Sequence, residues 1–225
     1  MMKSLQNLVS ALGFLFLALL LLVLTISGAA AATAAMEAPD VLVKRVTREV
    51  MEAAKTDKAI QGGDRRRIRQ VGEEKILPHL DFERTTALTV GRHWRATTPE
   101  QRQRLIDEYR ALLMHTYAGA MSQINDQKLE YKPLRMEPGD TETEVRFQVR
   151  QPRREEPVQV SYRMIKRPDG WKIYDVNVLG VWLIETYKAS FSDIINREGV
   201  DGLISSLEDK NRALAKANAA AEKNS

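Results

Sequence analysis

Residues 144–150 read Glu-Val-Arg-Phe-Gln-Val-Arg, and residues 158–164 read Val-Gln-Val-Ser-Tyr-Arg-Met. Apolar and polar residues alternate through both stretches, the period of a β-strand with one face buried. Val145, Phe147 and Val149 in the first, and Val158, Val160, Tyr162 and Met164 in the second, are therefore expected to face a core. Pro168-Asp169-Gly170 is a turn signal leading into a third strand over 171–178. A shorter strand around 130–137 suits a sheet edge, where Pro133 removes no ladder hydrogen bond. In the 171–178 stretch the apolar phase slips, from Trp171 and Ile173 to Tyr174, Val176 and Val178, which a bulge or cover on both faces would explain.

On either side of these strands the period lengthens to that of a helix. Upstream, Asp40 can cap a helix with the stripe Val43, Val46, Val50 and Ala54, ending near Gly62-Gly63. Asp64 opens a second helix, which reaches Leu77 before Pro78 intervenes. Thr98-Pro99-Glu100-Gln101 supplies an N-cap, a proline at the first helical position and a capping-box glutamine. It precedes an apolar stripe of Leu105, Ile106, Tyr109, Leu112, Leu113 and Tyr117. Downstream, the spacing predicts a helix over 181–197 and another from about 200 toward 215, with Gly199 and Gly202 at the joint as a candidate hinge. Residues 210–225, rich in Ala, Lys and Asn, have little to bury and are expected to form a flexible tail.

Helices segregated from an antiparallel sheet make an α+β fold, here a curved sheet of about four strands covered by helices. The layers enclose a volume that either fills with side chains or holds a ligand. Periodicity leaves both open.

The first 35 residues stand apart from this pattern. Lys3 is a short positive end, Leu12 to Ile26 is apolar apart from Gly13 and Thr25, and the run from Ala29 to Ala35 offers small-residue cleavage sites. A secretory signal cleaved around 32–35 is expected, leaving residues 36–209 as one domain; an uncleaved anchor over 11–32 is the alternative. The formal net charge of the whole chain is only +4. Its densest cationic cluster, Arg65, Arg66, Arg67 and Arg69, has no interleaved aromatic to stack on a base, so nucleic acid is not an expected partner. The absence of cysteine excludes disulfides, thiolate ligands and a cysteine nucleophile. His79, His93 and His115 have no second ligand at metal-binding spacing, and the sequence carries neither a Walker loop nor a GxSxG elbow.

Four stretches in order carry a resemblance. They are Lys75-Ile-Leu-Pro-His-Leu80, Val90-Gly-Arg-His-Trp-Arg-Ala-Thr-Thr-Pro-Glu-Gln-Arg102, Gly170-Trp-Lys-Ile-Tyr-Asp-Val-Asn-Val-Leu-Gly-Val181 and Gly199-Val-Asp-Gly-Leu203. Together they resemble the MlaC (toluene-tolerance auxiliary) family. The resemblance implies a fold related to nuclear transport factor 2 and a monomeric, periplasmic carrier without catalytic residues or cofactor, whose ligand is a glycerophospholipid. It also implies two partners: an outer-membrane lipoprotein complex, and an inner-membrane transporter of the ATP-binding-cassette type with MCE-domain subunits, working together to maintain outer-membrane lipid asymmetry.

Such a task has a physical rationale. Two acyl chains hold about 30 methylenes at about 0.8 kcal/mol each, so exposing them to water costs roughly 24 kcal/mol. As a barrier this corresponds to about a day per lipid. A soluble carrier needs a dry apolar cavity, toward the upper end of the usual range of about 300–1,000 Å³. The expected lining is Tyr109, Leu113 and Tyr117 from the helix after Pro99, Phe147, Val149, Val160 and Tyr162 from the strands, and Trp171, Tyr174, Val176 and Val181 from the third motif. Two alternatives remain: an enzyme using a desolvated Asp175 as acid or base in such a cavity, and an adaptor that binds only protein around a filled core.

Overall fold

The computed structural model describes residues 36–117, 127–151 and 155–223. The chain divides into two units, Met1–Met36 and Glu37–Ser225. Of the first, only Met36 is described, so the expected signal segment and its cleavage positions lie outside the described residues.

The helices start where side-chain caps stand ready. Helix α1, Pro39–Thr56, begins with a proline in its first turn, and Asp40 lies inside that turn paired with Lys44 instead of capping from outside. The helix ends before the expected Gly62-Gly63 pair because Asp57 intervenes. Its carboxylate accepts from the backbone N–H groups of Ala59 and Ile60, capping the short helix α2, Lys58–Gln61. Asp64 caps α3, Arg65–Lys75, through the N–H groups of Arg66 and Arg67, as its position in the sequence predicts. After a 3₁₀ turn over Leu77–His79, Asp81 caps α4, Phe82–Val90. Helix α4 is absent from the sequence expectation for a clear reason. Its buried side carries Thr85, Thr86 and Thr89, β-branched residues of low helix propensity. In the fold each hydroxyl donates to a carbonyl one turn back, and Thr85 also reaches the Tyr174 carbonyl at 2.7 Å.

A second 3₁₀ segment, Gly91–Ala96, leads to α5, Pro99–Tyr117. There the capping box forms as read: Thr98 Oγ1 accepts from Gln101 N at 3.2 Å, and Gln101 Oε1 accepts from Thr98 N at 3.1 Å.

The sheet is antiparallel and curved, in the order β1 (Lys128–Tyr131), β2 (Glu142–Arg150), β3 (Val158–Arg167), β4 (Gly170–Val178) and β5 (Val181–Trp182). β1 is an edge strand as expected, but it covers only Lys128–Tyr131, and Pro133 lies beyond its end. Val145 lies opposite Tyr162, and Phe147 opposite Val160, so the two alternating stretches share one apolar face. The phase slip of the third strand is a bulge: Met164 pairs with Ile173 and Arg163 with Asp175, leaving Tyr174 as the extra residue. Residues 181–182 form a fifth strand, not the first turn of a helix. The hairpin joining β4 to β5 has only Leu179 and Gly180 between its strands, with φ of +53° and +89°. Positive φ at both central residues is the geometry of a type I′ turn.

Helix α6, Leu183–Lys223, is bent where Gly199 takes φ +73° and ψ −177°, at the predicted joint. Gly202 has a packing reason instead, since a Cβ there would fall 2.3 Å from Glu198 Cβ. Residues 210–223, expected to fray, continue this helix: Asn211 is buried and donates to the Glu108 carbonyl at 2.9 Å, and Asn218 meets Arg65. The amide side chains there supply docking that an apolar count does not register.

Two apolar regions hold the layers. In one, α5 and α6 interlock through Leu105, Tyr109, Leu112, Phe191, Leu203 and Ile204. In the other, Leu42 and Val43 of α1 pack on the sheet face of Val145, Phe147, Val160, Met164 and Trp171.

Candidate functional site

Between β4 and the helices lies a cavity of about 540 Å³. One wall is β4 itself, with Ile173, Tyr174, Asp175, Val176 and Val178, continued by Val181 of β5. The facing wall is Leu113, Met114 and Tyr117 of α5, and the ends are closed by Leu80, Phe82 and Thr85 on one side and Leu183 and Thr186 of α6 on the other. Toward the β5 end the space survives because the β4 and β5 contributions there are Val176, Val178 and Val181. A valine reaches only one carbon beyond Cβ and cannot span the gap to the next layer, whereas a phenylalanine could.

Five of the eleven residues expected to line a cavity meet here: Leu113, Tyr117, Tyr174, Val176 and Val181. Phe147, Val149, Val160, Tyr162 and Trp171 project from the same face of the sheet but lie under α1. Phe147 and Val160 also border a cleft of about 360 Å³ beside Lys132 and Arg146. Tyr162 is half-buried and stands edge-on to Phe147 at 5.2 Å. Burial pushes its hydroxyl up to about 12. Tyr109 belongs elsewhere. It is fully buried in the α5–α6 core, edge-on to Phe191 at 5.0 Å and to Tyr187 at 5.3 Å.

Leu80, Phe82, Met114, Ile173, Val178, Leu183 and the two threonines are cavity residues beyond those expected. Ile173 was hidden by the bulge, which restores it to the cavity face against the regular alternation. Leu80 joins the sheet as an isolated parallel bridge to Ile173, with Asp81 N donating to the Ile173 carbonyl at 2.8 Å. A single-residue bridge leaves no periodic trace in a sequence.

Asp175, the one carboxylate in the wall, is 1% exposed. Burial is the main influence on it and raises its pKa; N–H donors and Arg163 oppose that. Its Oδ1 accepts from Val176 N at 3.0 Å and from Ile184 N at 3.1 Å, and its Oδ2 takes Arg163 at 3.3 Å. Oδ1 fastens the first turn of α6 to β4, and Oδ2 ties β4 to Arg163 of β3. That arrangement holds backbone and leaves neither oxygen poised over the cavity as a base.

The segment Leu80–Phe82 also separates the cavity from an open cleft of about 840 Å³. Its cations are matched one for one: Arg167 with Asp81, Arg84 with Glu142, Lys172 with Asp169 and Arg110 with Asp107. The cleft is therefore a mixed-charge surface. Among the described residues no group of three or more His, Asp and Glu could hold a metal ion, and no helix is long and apolar enough to cross a membrane.

Three comparisons bear on this geometry. A family model described as MlaC protein matches residues 44–209. The intermembrane phospholipid transport system binding protein MlaC of Haemophilus influenzae is 22% identical over 173 residues, which are 76% of this chain and 80% of that protein. Among solved structures, a phospholipid-binding protein from Ralstonia solanacearum in complex with a phospholipid is 42% identical, with a TM-score of 0.73 over 78% of this chain and 98% of that one.

Proposed function

Because this chain belongs to the MlaC family, we propose that it is a phospholipid carrier that moves glycerophospholipid across the periplasm. The observation that carries the reading is the apolar cavity between β4 and α5, with a phospholipid-bound relative of the same fold behind it. Its volume of about 540 Å³ falls in the middle of the range for ligand cavities. Leu113, Tyr117, Tyr174, Val176 and Val181 form the first wall for acyl chains, and the apolar face running from Ile173 and Trp171 to Tyr162, Val160, Phe147 and Val149 extends it under α1. Lipid entry would then draw α1 and α5 away from the sheet.

The finer assignments belong to the same proposal. Residues 1–35 act as a cleaved export signal and residues 36–209 as the carrier domain. The partners are an outer-membrane lipoprotein complex and an inner-membrane transporter with MCE-domain subunits, consistent with the intermembrane transport named for the Haemophilus influenzae relative. The carrier uses no cofactor beyond its bound lipid and catalyses no reaction. The engagement of both Asp175 oxygens by backbone and Arg163 supports that last reading.

Native mass spectrometry of the purified protein, followed by organic extraction, tests the proposal. Diacyl phospholipid near one per chain, lost on Val176→Asp in a variant that still folds, is the expected result. A clean protein mass with no uptake from liposomes would overturn it.

A further inference from the structure

The mouth of the cavity carries an unusual tip. Residues 176–183 read Val-Asn-Val-Leu-Gly-Val-Trp-Leu, eight residues without a charge, folded as β4, a two-residue turn and β5. At the tip, Leu179 holds φ +53° in a position that type I′ turns give to Asn, Asp or Gly. It is also 56% exposed, and its neighbour Val181 is 61% exposed. A bulky apolar residue thus accepts both an unfavourable backbone conformation and contact with water, although Asn would relieve both. The turn is otherwise well made: Asn177 Oδ1 accepts from Gly180 N at 2.9 Å, and Leu179 N donates to the Gln159 carbonyl at 2.9 Å.

The exposure is not scattered. Val178 and Val181 line the cavity and also reach the surface, and Tyr117 does the same from α5 across the opening. The apolar wall therefore runs from Val176 through Val178 and Val181 to the turn. We propose that the β4–β5 turn is an apolar lip whose occupant is an acyl chain in transit: Leu179 enters the acyl region of a lipid surface and gives the chain a dry path over Val178 and Val181 into the cavity. Continuity with the cavity wall and the uncharged turn argue for an acyl chain. A protein contact on this face would more ordinarily be rimmed by polar and charged groups.

The inference rests on the carrier reading, and its test separates the two. Leu179→Asn keeps the turn, since Asn accepts positive φ, and removes the apolar tip. Uptake of fluorescent phospholipid from vesicles of phosphatidylethanolamine and phosphatidylglycerol is followed by stopped flow, with lipid per chain measured by native mass spectrometry. Expected results are an unchanged or raised Tm, unchanged lipid per chain at equilibrium, and uptake slower by about tenfold, with Leu179→Phe restoring the rate. Uptake at the original rate in Leu179→Asn, with lipid still bound, overturns the lip alone, whereas lipid-free protein throughout overturns the carrier reading first. A photo-crosslinker at position 179 that captures protein and no lipid during active exchange would also overturn the lip.

Discussion

The α5–α6 core and the β4 wall are both built chiefly from apolar side chains, yet one is filled and the other hollow. In the core, Tyr109, Tyr187 and Phe191 stand edge-on to one another at 5.0–5.8 Å. Along β4 and β5, Val176, Val178 and Val181 leave about 540 Å³ open. Side-chain reach separates the two regions, and hydrophobicity does not. The filled core carries stability, while the hollow wall gives up packing energy to keep room for a ligand.

Substitutions in the two regions should therefore act on different observables. Phe191→Ala is expected to cost about 3–5 kcal/mol in urea unfolding, with lipid per folded chain unchanged. Equal losses of stability and of lipid would erase the distinction between the regions. Asp175→Ala, at the seam between β4 and α6, leaves the Val176 and Ile184 amides unpaired and should cost about 1–3 kcal/mol. Asp175→Asn should cost less, because an amide oxygen can still accept from them.

The same residue gives a pH signature. Burial raises Asp175, so the folded protein holds that proton to higher pH than the unfolded chain does. The stability it contributes is complete below the unfolded carboxylate value of about 3.9, and is lost as pH rises through the raised folded value. Asp175→Asn should remove that downward slope, and a slope of the opposite sign in the wild type would contradict the burial account. Val176→Phe should change stability by about 1 kcal/mol or less, because the ring enters free space, while lowering lipid per chain sharply. If it instead unfolds the protein, the β4 wall is packed and not hollow. Thr98→Ala, which opens the α5 capping box away from both regions, should cost about 1 kcal/mol and leave lipid binding intact.

Much of this was legible in the sequence, for physical reasons that also mark the limit. Alternation at 144–150 and 158–164 fixes which residues share a face, and Thr98-Pro99-Glu100-Gln101 fixes where a helix starts, because both are local rules. Helix α4 escaped because its buried face is threonine, whose propensity points away from helix until tertiary contacts engage the hydroxyls. The cavity escaped because emptiness depends on side chains from five elements failing to meet. Tyr109 and Tyr117 sit on the same helix at helical spacing, yet only Tyr117 faces open space. The bridge at Leu80 and the docking of Asn211 rest on single contacts between distant residues, and those leave no period to read.

The extra residue in β4 makes the strand ambidextrous. In a regular strand Ile173 and Val176 would fall on opposite sides of the sheet, as residues an odd number apart must. With Tyr174 bulged out of the pairing, both reach the cavity while Asp175 between them grips the start of α6. Pairing every residue of β4 regularly would leave the composition untouched and exchange the lining of the cavity for its fastenings.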